Sequence, residues 1–190
     1  MTTSASGDDR FSVRPFTADE WQVYKSVRLE ALRDSPDAFA TTYAESVGRD
    51  DNQWRERLKV ATSEASKQLP LAVFEGERVV GQCWVIQEED DSSRANVIQM
   101  WVAPAFRGLG LSRRLLLATI EWATQNSVEV MTLGVTQGET PARRLYESVG
   151  FQTIGSEPLR EGSSLRVDNM ALQLQSRGDV ECTHLPGQSP

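Results

Sequence analysis

Residues 102–123 read VAPAFRGLGLSRRLLLATIEWA. A proline closes an apolar stretch and two glycines follow. Leu111, Leu115, Leu116, Ile120 and Trp122 then recur at roughly the spacing of one helix face. The pattern predicts a strand, a tight turn and a helix that begins near Gly110. The first N–H groups of such a helix have no partner within it and point back into the turn, where the helix dipole adds to their attraction for an anion. Gly108 and Gly110 put no Cβ between those amides and a ligand. Arg107, Arg113 and Arg114 add charge that suits a phosphorylated ligand. Read alone, the segment serves equally well as a connection that binds nothing. Two familiar nucleotide loops fit it badly. No Lys-Ser/Thr pair follows the second glycine, and Gly108-x-Gly110 lacks the third glycine of a dinucleotide fingerprint.

The surrounding pattern is that of one mixed domain. FSVRPF (11–16) predicts a short strand. Thr17 and Glu20 form a capping-box pair for a helix over TADEWQVYKSVRLEALRDS. Its inner face carries Trp21, Tyr24, Val27, Leu29 and Leu32, and it stops at Ser35-Pro36 because the residue before proline avoids helical angles. Residues 36–50 are loop-like with short helical possibilities, and 50–64 predict a second helix capped by Asp50 or Asp51. Two strands flank the turn Glu75-Gly76-Glu77, and NVIQMWVAP (96–104) is a third. After the helix of the opening stretch come a strand (MTLGVT), a helix (TPARRLYESVG), a strand (FQTIGS), a loop (SEPLREGSS) and a last strand (LRVDNMALQLQ). Residues 1–10 predict a disordered N-terminus and 176–190 a flexible C-terminal tail. The order β-α-α-β-β-β-α-β-α-β-β over 11–175 predicts an α/β (α+β) domain with a mixed sheet flanked by helices.

The bulk numbers bound the function classes. The chain has 190 residues, 27 acids against 20 bases and a net charge of −7. That balance argues against a general nucleic-acid or anionic-membrane surface; it suits a cationic partner, or plain solubility. No apolar run approaches the roughly 18 residues of a membrane span. The opening residues lack the basic and then hydrophobic order of an export signal. Cys83 lies in an apolar run and is expected to be buried, while Cys182 lies in the tail; a reduced, cytoplasmic setting is the default reading.

A second motif gives the turn its meaning. Residues 140–151, TPARRLYESVGF, together with the glycine turn resemble the GNAT family of acetyl-CoA-dependent N-acetyltransferases. The family signature Arg/Gln-x-x-Gly-x-Gly/Ala reads Arg107-Gly108-Leu109-Gly110-Leu111-Ser112, with Ser112 in place of the last small residue. Val102-x-Pro104-x-Phe106 before it matches as well. The later element, Ala-x-x-Leu-Tyr-Glu-x-x-Gly-Phe, is matched by Ala142, Leu145, Tyr146, Glu147, Gly150 and Phe151. Glu139 stands where an asparagine often precedes that tyrosine by seven residues. The resemblance spans residues 11–175 and implies a single domain whose central, mostly antiparallel sheet is splayed between the fourth and fifth strands.

It also implies acetyl-CoA as cosubstrate, with no metal. The pantetheine arm would bond to the main chain at Met100, Trp101 and Val102. The pyrophosphate would rest on the amides of Arg107, Gly108, Leu109, Gly110, Leu111, Ser112 and Arg113. The implied reaction is attack by a neutral amine on the thioester, with a main-chain N–H near Trp101 or Val102 stabilising the oxyanion. By resemblance Tyr146 is the proton donor: a phenol of pKa about 10 can protonate a departing thiolate whose parent thiol has pKa about 8.5. Read by itself, Tyr146 packs between helix and sheet like any aromatic.

A general base is harder to find. No acid occurs between Asp91 and Glu121. Deprotonating a lysine-like amine at pH 7 costs about 4.6 kcal/mol and an α-amine near pKa 8 about 1.4 kcal/mol, so either a distant carboxylate serves or the acceptor has a low pKa. Glu30, Asp37 and Glu45 are candidates only, and each reads more readily as a solvated surface acid. Phe39, Tyr43 and Trp54 can wall an acceptor pocket or fill core. The acidic runs 88–91 and 157–161 read as attractants for a polyamine or basic peptide, or as solvated turns. Arg143-Arg144 reads as helix surface, or as a pair near the cofactor. His184 beside Cys182 offers too few ligands for a metal, and Arg177-Gly178-Asp179 is a chance tripeptide. The expected function is acetyl transfer to a primary amine of a small molecule (polyamine, amino acid or antibiotic). The alternatives are a peptide or protein N-terminal acetyltransferase and a non-catalytic CoA-binding sensor. The expected partner is a small-molecule amine, with no nucleic acid or membrane, and the resemblance suggests a homodimer. A closed, acidic pocket favours a small amine and a groove open at both ends a peptide.

Overall fold

A computed structural model describes residues 10–174. The readings made for the first nine residues and for 175–190, including Cys182, His184 and the Arg177-Gly178-Asp179 tripeptide, lie outside the described residues. The chain opens with β1 (Phe11–Pro15) and, after a 3-10 turn, α1 (Trp21–Asp34). The backbone N–H of Thr17 donates to Glu20, whose carboxylate also holds Arg14, so the chain enters α1 at a fixed angle. The loop beyond Pro36 contains the short α2 (Tyr43–Val47), and α3 (Asp51–Ala61) is capped by Asp50 and Gln53 reciprocally. Then come β2 (Gln68–Glu75), β3 (Arg78–Gln87) and β4 (Arg94–Val102), followed by α4 (Leu111–Gln125), β5 (Val130–Thr136), α5 (Pro141–Val149), β6 (Gln152–Pro158) and β7 (Arg166–Gln173).

The strands form one sheet in the order β1-β2-β3-β4-β5-β7-β6. Only β4 and β5 run parallel; every other pairing is antiparallel. The parallel ladder is short, joining Arg94–Val97 to Val130–Leu133 and stopping there although both strands continue. This is the splay expected from the sequence. It leaves the facing edges of β4 and β5 without a strand partner beyond that point, and main-chain polar groups so exposed need another partner.

A bulge in β4 sits at the mouth of the gap. Gln82 pairs with Trp101 and Trp84 with Ile98, so Cys83 stands opposite both Gln99 and Met100. Gln99 takes a left-handed φ of 58°, a conformation that costs about 1–3 kcal/mol unless its surroundings enforce it. One extra residue reverses the alternation of faces. Val97 before the bulge packs toward α4 and α5, whereas Trp101 after it joins Trp84 and Phe74 under α1 and α3. The sheet is thus sandwiched. Tyr24, Ala31 and Leu32 of α1 with Trp54 and Leu58 of α3 cover one face; Leu115 and Leu116 of α4 and Tyr146 of α5 cover the other.

The structure adjusts three expectations. On α1 the buried side chains are Tyr24, Val27, Arg28, Ala31 and Leu32, so an arginine occupies the face read as purely apolar, while Trp21 and Leu29 are half-buried. On α4 the helical spacing holds, yet Thr119 and Ala123 are buried where Ile120 and Trp122 are only partly so. Glu157 and Pro158, expected in the loop, continue β6, because Ser156, Glu157 and Pro158 pair with Asp168, Val167 and Arg166.

Candidate active site at the split in the sheet

The gap between β4 and β5 opens into a cavity of about 490 Å³. Ile98, Gln99 and Met100 line it from β4, and Gly134, Val135 and Thr136 from β5. Tyr24 and Arg28 from the α1 face and Ala142 and Tyr146 from the α5 face border the same space, so the cavity threads the sheet. The covering loop is tied down: Thr136 Oγ1 donates to the Asp37 carbonyl at 2.7 Å, and Phe39 is buried against the cavity.

At the end of β4 lies the glycine turn. Gly108 and Gly110 have φ of 80° and 74°, which L side chains rarely adopt, and a Cβ on either would meet nothing within 4 Å. The backbone there demands glycine, and the space above it is open. Gly110 caps α4 with no side-chain hydrogen bond, so the first amides of α4 face that space without a protein cap. Leu111 is buried and anchors the helix start, Ser112 is half-buried and Leu109 is exposed. The three arginines are exposed, and each also contacts the protein. Arg107 donates from Nε to the Val102 carbonyl at 3.0 Å and pairs with Asp34, which also accepts from Trp101 Nε1 at 2.9 Å. Arg113 reaches Ser148 on α5, and Arg114 donates to the Phe11 carbonyl.

Tyr146 is 5% exposed and packs 6.0 Å from the Phe151 ring. Both its core role and its place on the cavity wall are therefore real. Among the described residues its hydroxyl has no hydrogen-bond partner. Burial, with Cys83 nearby, pushes its pKa well above the ordinary phenol value. Its helix is held by Arg143, which the sequence placed on the surface. The guanidinium is in fact mostly buried and pairs with Asp168 of β7, because β7 runs close beneath α5.

Of the cofactor-binding positions read from sequence, Met100 borders the cavity; Trp101, Val102 and residues 107–113 continue from it toward the glycine turn. None of Glu30, Asp37 or Glu45 lines the cavity, and the Glu45 carboxylate is engaged in capping α2. Tyr43 donates to no cavity group but accepts from Arg33 at 2.6 Å, and Trp54 is core. The carboxylate that does line the cavity is Glu157, whose Oε1 accepts from Asn169 at 3.2 Å. Sequence reasoning saw it only as part of an acidic run; a strand extended by two residues would have flagged it. Three arginines, Arg28, Arg49 and Arg57, line the same cavity, so it is not the acidic pocket considered from sequence. Cys83 is buried as expected. Among the described residues no group of three or more His, Cys, Asp or Glu is placed to hold a metal, and no helix is long and apolar enough to cross a membrane.

Known proteins share this fold and parts of this sequence. An N-acetylaspartate synthetase from Danio rerio is 36% identical over 85 residues, 45% of this chain and 29% of that protein, so the chain spans under a third of that relative's length. The [ribosomal protein bS18]-alanine N-acetyltransferase of Haemophilus ducreyi is 30% identical over 118 residues, covering 59% of this chain and 78% of its own. A Salmonella typhimurium structure solved with its cofactor acetyl-CoA superposes with a TM-score of 0.69 at 20% identity, over 95% of this chain and 99% of that one. The model of the acetyltransferase (GNAT) family matches residues 28–151, from the buried arginine of α1 to the phenylalanine after α5. With both motifs on the two sides of one split sheet, the chain belongs to the acetyltransferase (GNAT) family.

Proposed function

We propose that the protein is an N-acetyltransferase that uses acetyl-CoA and acts on a primary amine of a small molecule, with Tyr146 as proton donor. The observation that carries this reading is the cavity that threads the split sheet and brings Tyr146 to the unpaired edges of β4 and β5. The residues present fit acetyl-CoA: the gap offers unpaired main-chain groups to an amide-bearing arm, and the turn offers uncapped helix amides under open space to a pyrophosphate. Bound there, acetyl-CoA would supply an activated acetyl thioester. Met100, Trp101 and Val102 would hold the arm through their main chain, and residues 107–113 the phosphates. The bulge at Gln99 fixes how that main chain is presented, which is a reason to maintain a strained φ at this point.

The Tyr146 hydroxyl is protonated at neutral pH, as a phenol of ordinary pKa already would be, and burial makes it a weaker acid. In this role it donates a hydrogen bond to the departing sulfur and passes its proton only as negative charge builds there. Glu157 is the cavity carboxylate available to take a proton from the amine, directly or through water, with Asn169 holding one of its oxygens. Thiol release from acetyl-CoA across small primary amines, diamines and a short peptide tests the reading. Release with a small amine, together with a rise in melting temperature on adding acetyl-CoA, is the expected result. Absence of both would remove the cofactor assignment, and release with the peptide alone would move the acceptor to a protein N-terminus.

A further inference from the structure

Arg28 is the anomaly of the cavity. It lies on the inner face of α1, only 7% exposed, with its guanidinium stacked 4.4 Å over the Phe39 ring. Its Nη1 is fully buried and has no hydrogen-bond partner. Desolvating a guanidinium without a counter-charge is expensive, and folded proteins pair such groups almost without exception. Here the usual remedy is missing. Among the described residues no carboxylate lies within ion-pair distance of Arg28, Arg49 or Arg57, although all three line the same cavity. Burial lowers the Arg28 pKa to about 10; Tyr24 opposes that, and the like charges of Arg57 and Arg49 add to it. The group stays cationic at neutral pH, and its two neighbours are close enough to repel it.

The three are held in place by aromatic and polar contacts that leave the charge unneutralised. Arg57 donates from Nε to the Tyr24 hydroxyl at 3.2 Å and lies over Trp84; Tyr24 in turn donates to Gln99, the bulge residue. Arg49 lies over Trp54 and also faces the exposed Glu45 across solvent. A guanidinium stacked on a ring keeps its in-plane N–H groups for an anion. The opposing charge in the cavity is Glu157 on β6. Three fixed cations against one carboxylate make a poor host for a polyamine and a good one for a molecule that brings its own anion.

We infer that the acceptor is a primary amine that also carries a carboxylate, and that Arg28, flanked by Arg49 and Arg57, binds that carboxylate. The inference rests on the acetyl-transfer reading for its amine half; the anion half stands on the buried guanidinium alone. An amino acid is the simplest molecule of this class. Its carboxylate would meet Arg28 and its ammonium the Glu157 side. An anion could also arrive as a phosphate of the cofactor, so the experiment must separate the two sources.

The test uses matched pairs: glycine, L-alanine and L-aspartate against glycinamide, L-alaninamide and L-aspartic diamide, with 1,4-diaminobutane as the polyamine. The amide members have the lower amine pKa and are intrinsically easier to acetylate, so a preference for the acids cannot come from amine reactivity. Thiol release should show kcat/KM about 10- to 100-fold higher for the acids, as a charged hydrogen bond would give. Arg28→Gln should bring that ratio toward one, chiefly through KM for the acid, while acetyl-CoA affinity by calorimetry stays within a factor of about two. If Arg28→Gln fails to fold, the exposed Arg57→Gln should lower the same ratio by about threefold. Equal rates for acid and amide, or preference for the diamine, would overturn the inference while leaving acetyl transfer intact. A tenfold loss of acetyl-CoA affinity in Arg28→Gln would also overturn it, by assigning the arginines to a cofactor phosphate. If no amine releases thiol, the acetyl-transfer reading fails, and calorimetry of the same pairs against the CoA-loaded protein decides the anion half: acids binding and amides not supports it, equal binding defeats it.

Discussion

The cavity wall that runs toward the glycine turn is made of main chain, whereas the wall under α1 and α3 is made of side chains. Along the first, the features that matter are a broken ladder past Val97, a left-handed Gln99 and two left-handed glycines. Along the second they are Arg28, Arg49 and Arg57, faced by Glu157 of β6, so that four separate segments contribute. The first kind of wall suits a ligand common to many relatives, since any side chains that permit the backbone will do. The second suits a ligand particular to this chain. The comparison predicts that changes to the two walls separate cleanly into cofactor effects and acceptor effects, with Tyr146 between them.

Tyr146→Phe is the largest expected break. It removes one hydroxyl from a buried ring that makes no hydrogen bond among the described residues, so melting temperature should hardly change. Turnover should fall about 10²- to 10⁴-fold, the usual range for a general acid, with acetyl-CoA affinity intact. Unchanged turnover would reduce Tyr146 to a core aromatic. Gly110→Val attacks the main-chain wall. A left-handed residue costs about 1–2 kcal/mol without glycine, and β-branching adds to that, so acetyl-CoA should bind about 10- to 30-fold more weakly. Gly155→Ala, where φ is ordinary and the space is open, is the control that should change nothing. Full affinity in Gly110→Val would show that the turn does not position the ligand.

Glu157→Gln attacks the other wall. It keeps the shape and the Asn169 contact and removes only the charge. If Glu157 accepts the amine proton, kcat/KM should fall about tenfold for amines near pKa 10 and little for those near 8, because the harder deprotonation depends more on a base. A loss independent of amine pKa would make Glu157 a binding group instead.

The same contrast explains what could be read in advance. The glycine turn, the α5 motif and the element order are local features: a positive φ writes a glycine into the sequence, and a helix face writes its period. The split between β4 and β5 followed from those motifs. The arginines did not. Arg28 occupies an a-type position on an amphipathic helix where the period calls for an apolar side chain, and its stacking on Phe39 joins segments that only the folded chain brings together. Arg49 looks like a solvated loop charge and Arg57 like a solvated helix charge until α3 is laid beside α1. Glu157 was hidden by a strand end, because SEPLREGSS reads as a loop; the pairing with β7 overrode it. Asp168 was likewise invisible as the partner that draws Arg143 off the surface.

One residue joins the two walls. Asp34 ends α1, on the side proposed for the acceptor, and its carboxylate accepts from Trp101 of β4 and holds Arg107 of the glycine turn. Burial pushes its pKa up, but donors from Ser35, Trp101 and Arg107 outweigh burial and leave it below the ordinary value. A carboxylate so depressed stabilises the fold above its unfolded pKa of about 3.9, and that contribution is lost as pH falls through the folded value. Asp34→Asn should therefore cost about 1 kcal/mol at neutral pH, an amount that solvent screening keeps small. The gap from the parent protein should close on acidification below about pH 4 in urea melts. The functional effect should be the smallest of the set and the most informative. Acceptor KM and acetyl-CoA affinity should weaken together, about threefold each, because the same carboxylate orients both α1 and the turn. A change in one constant without the other would show that the two walls act independently, and that Asp34 serves only the side on which the change appears.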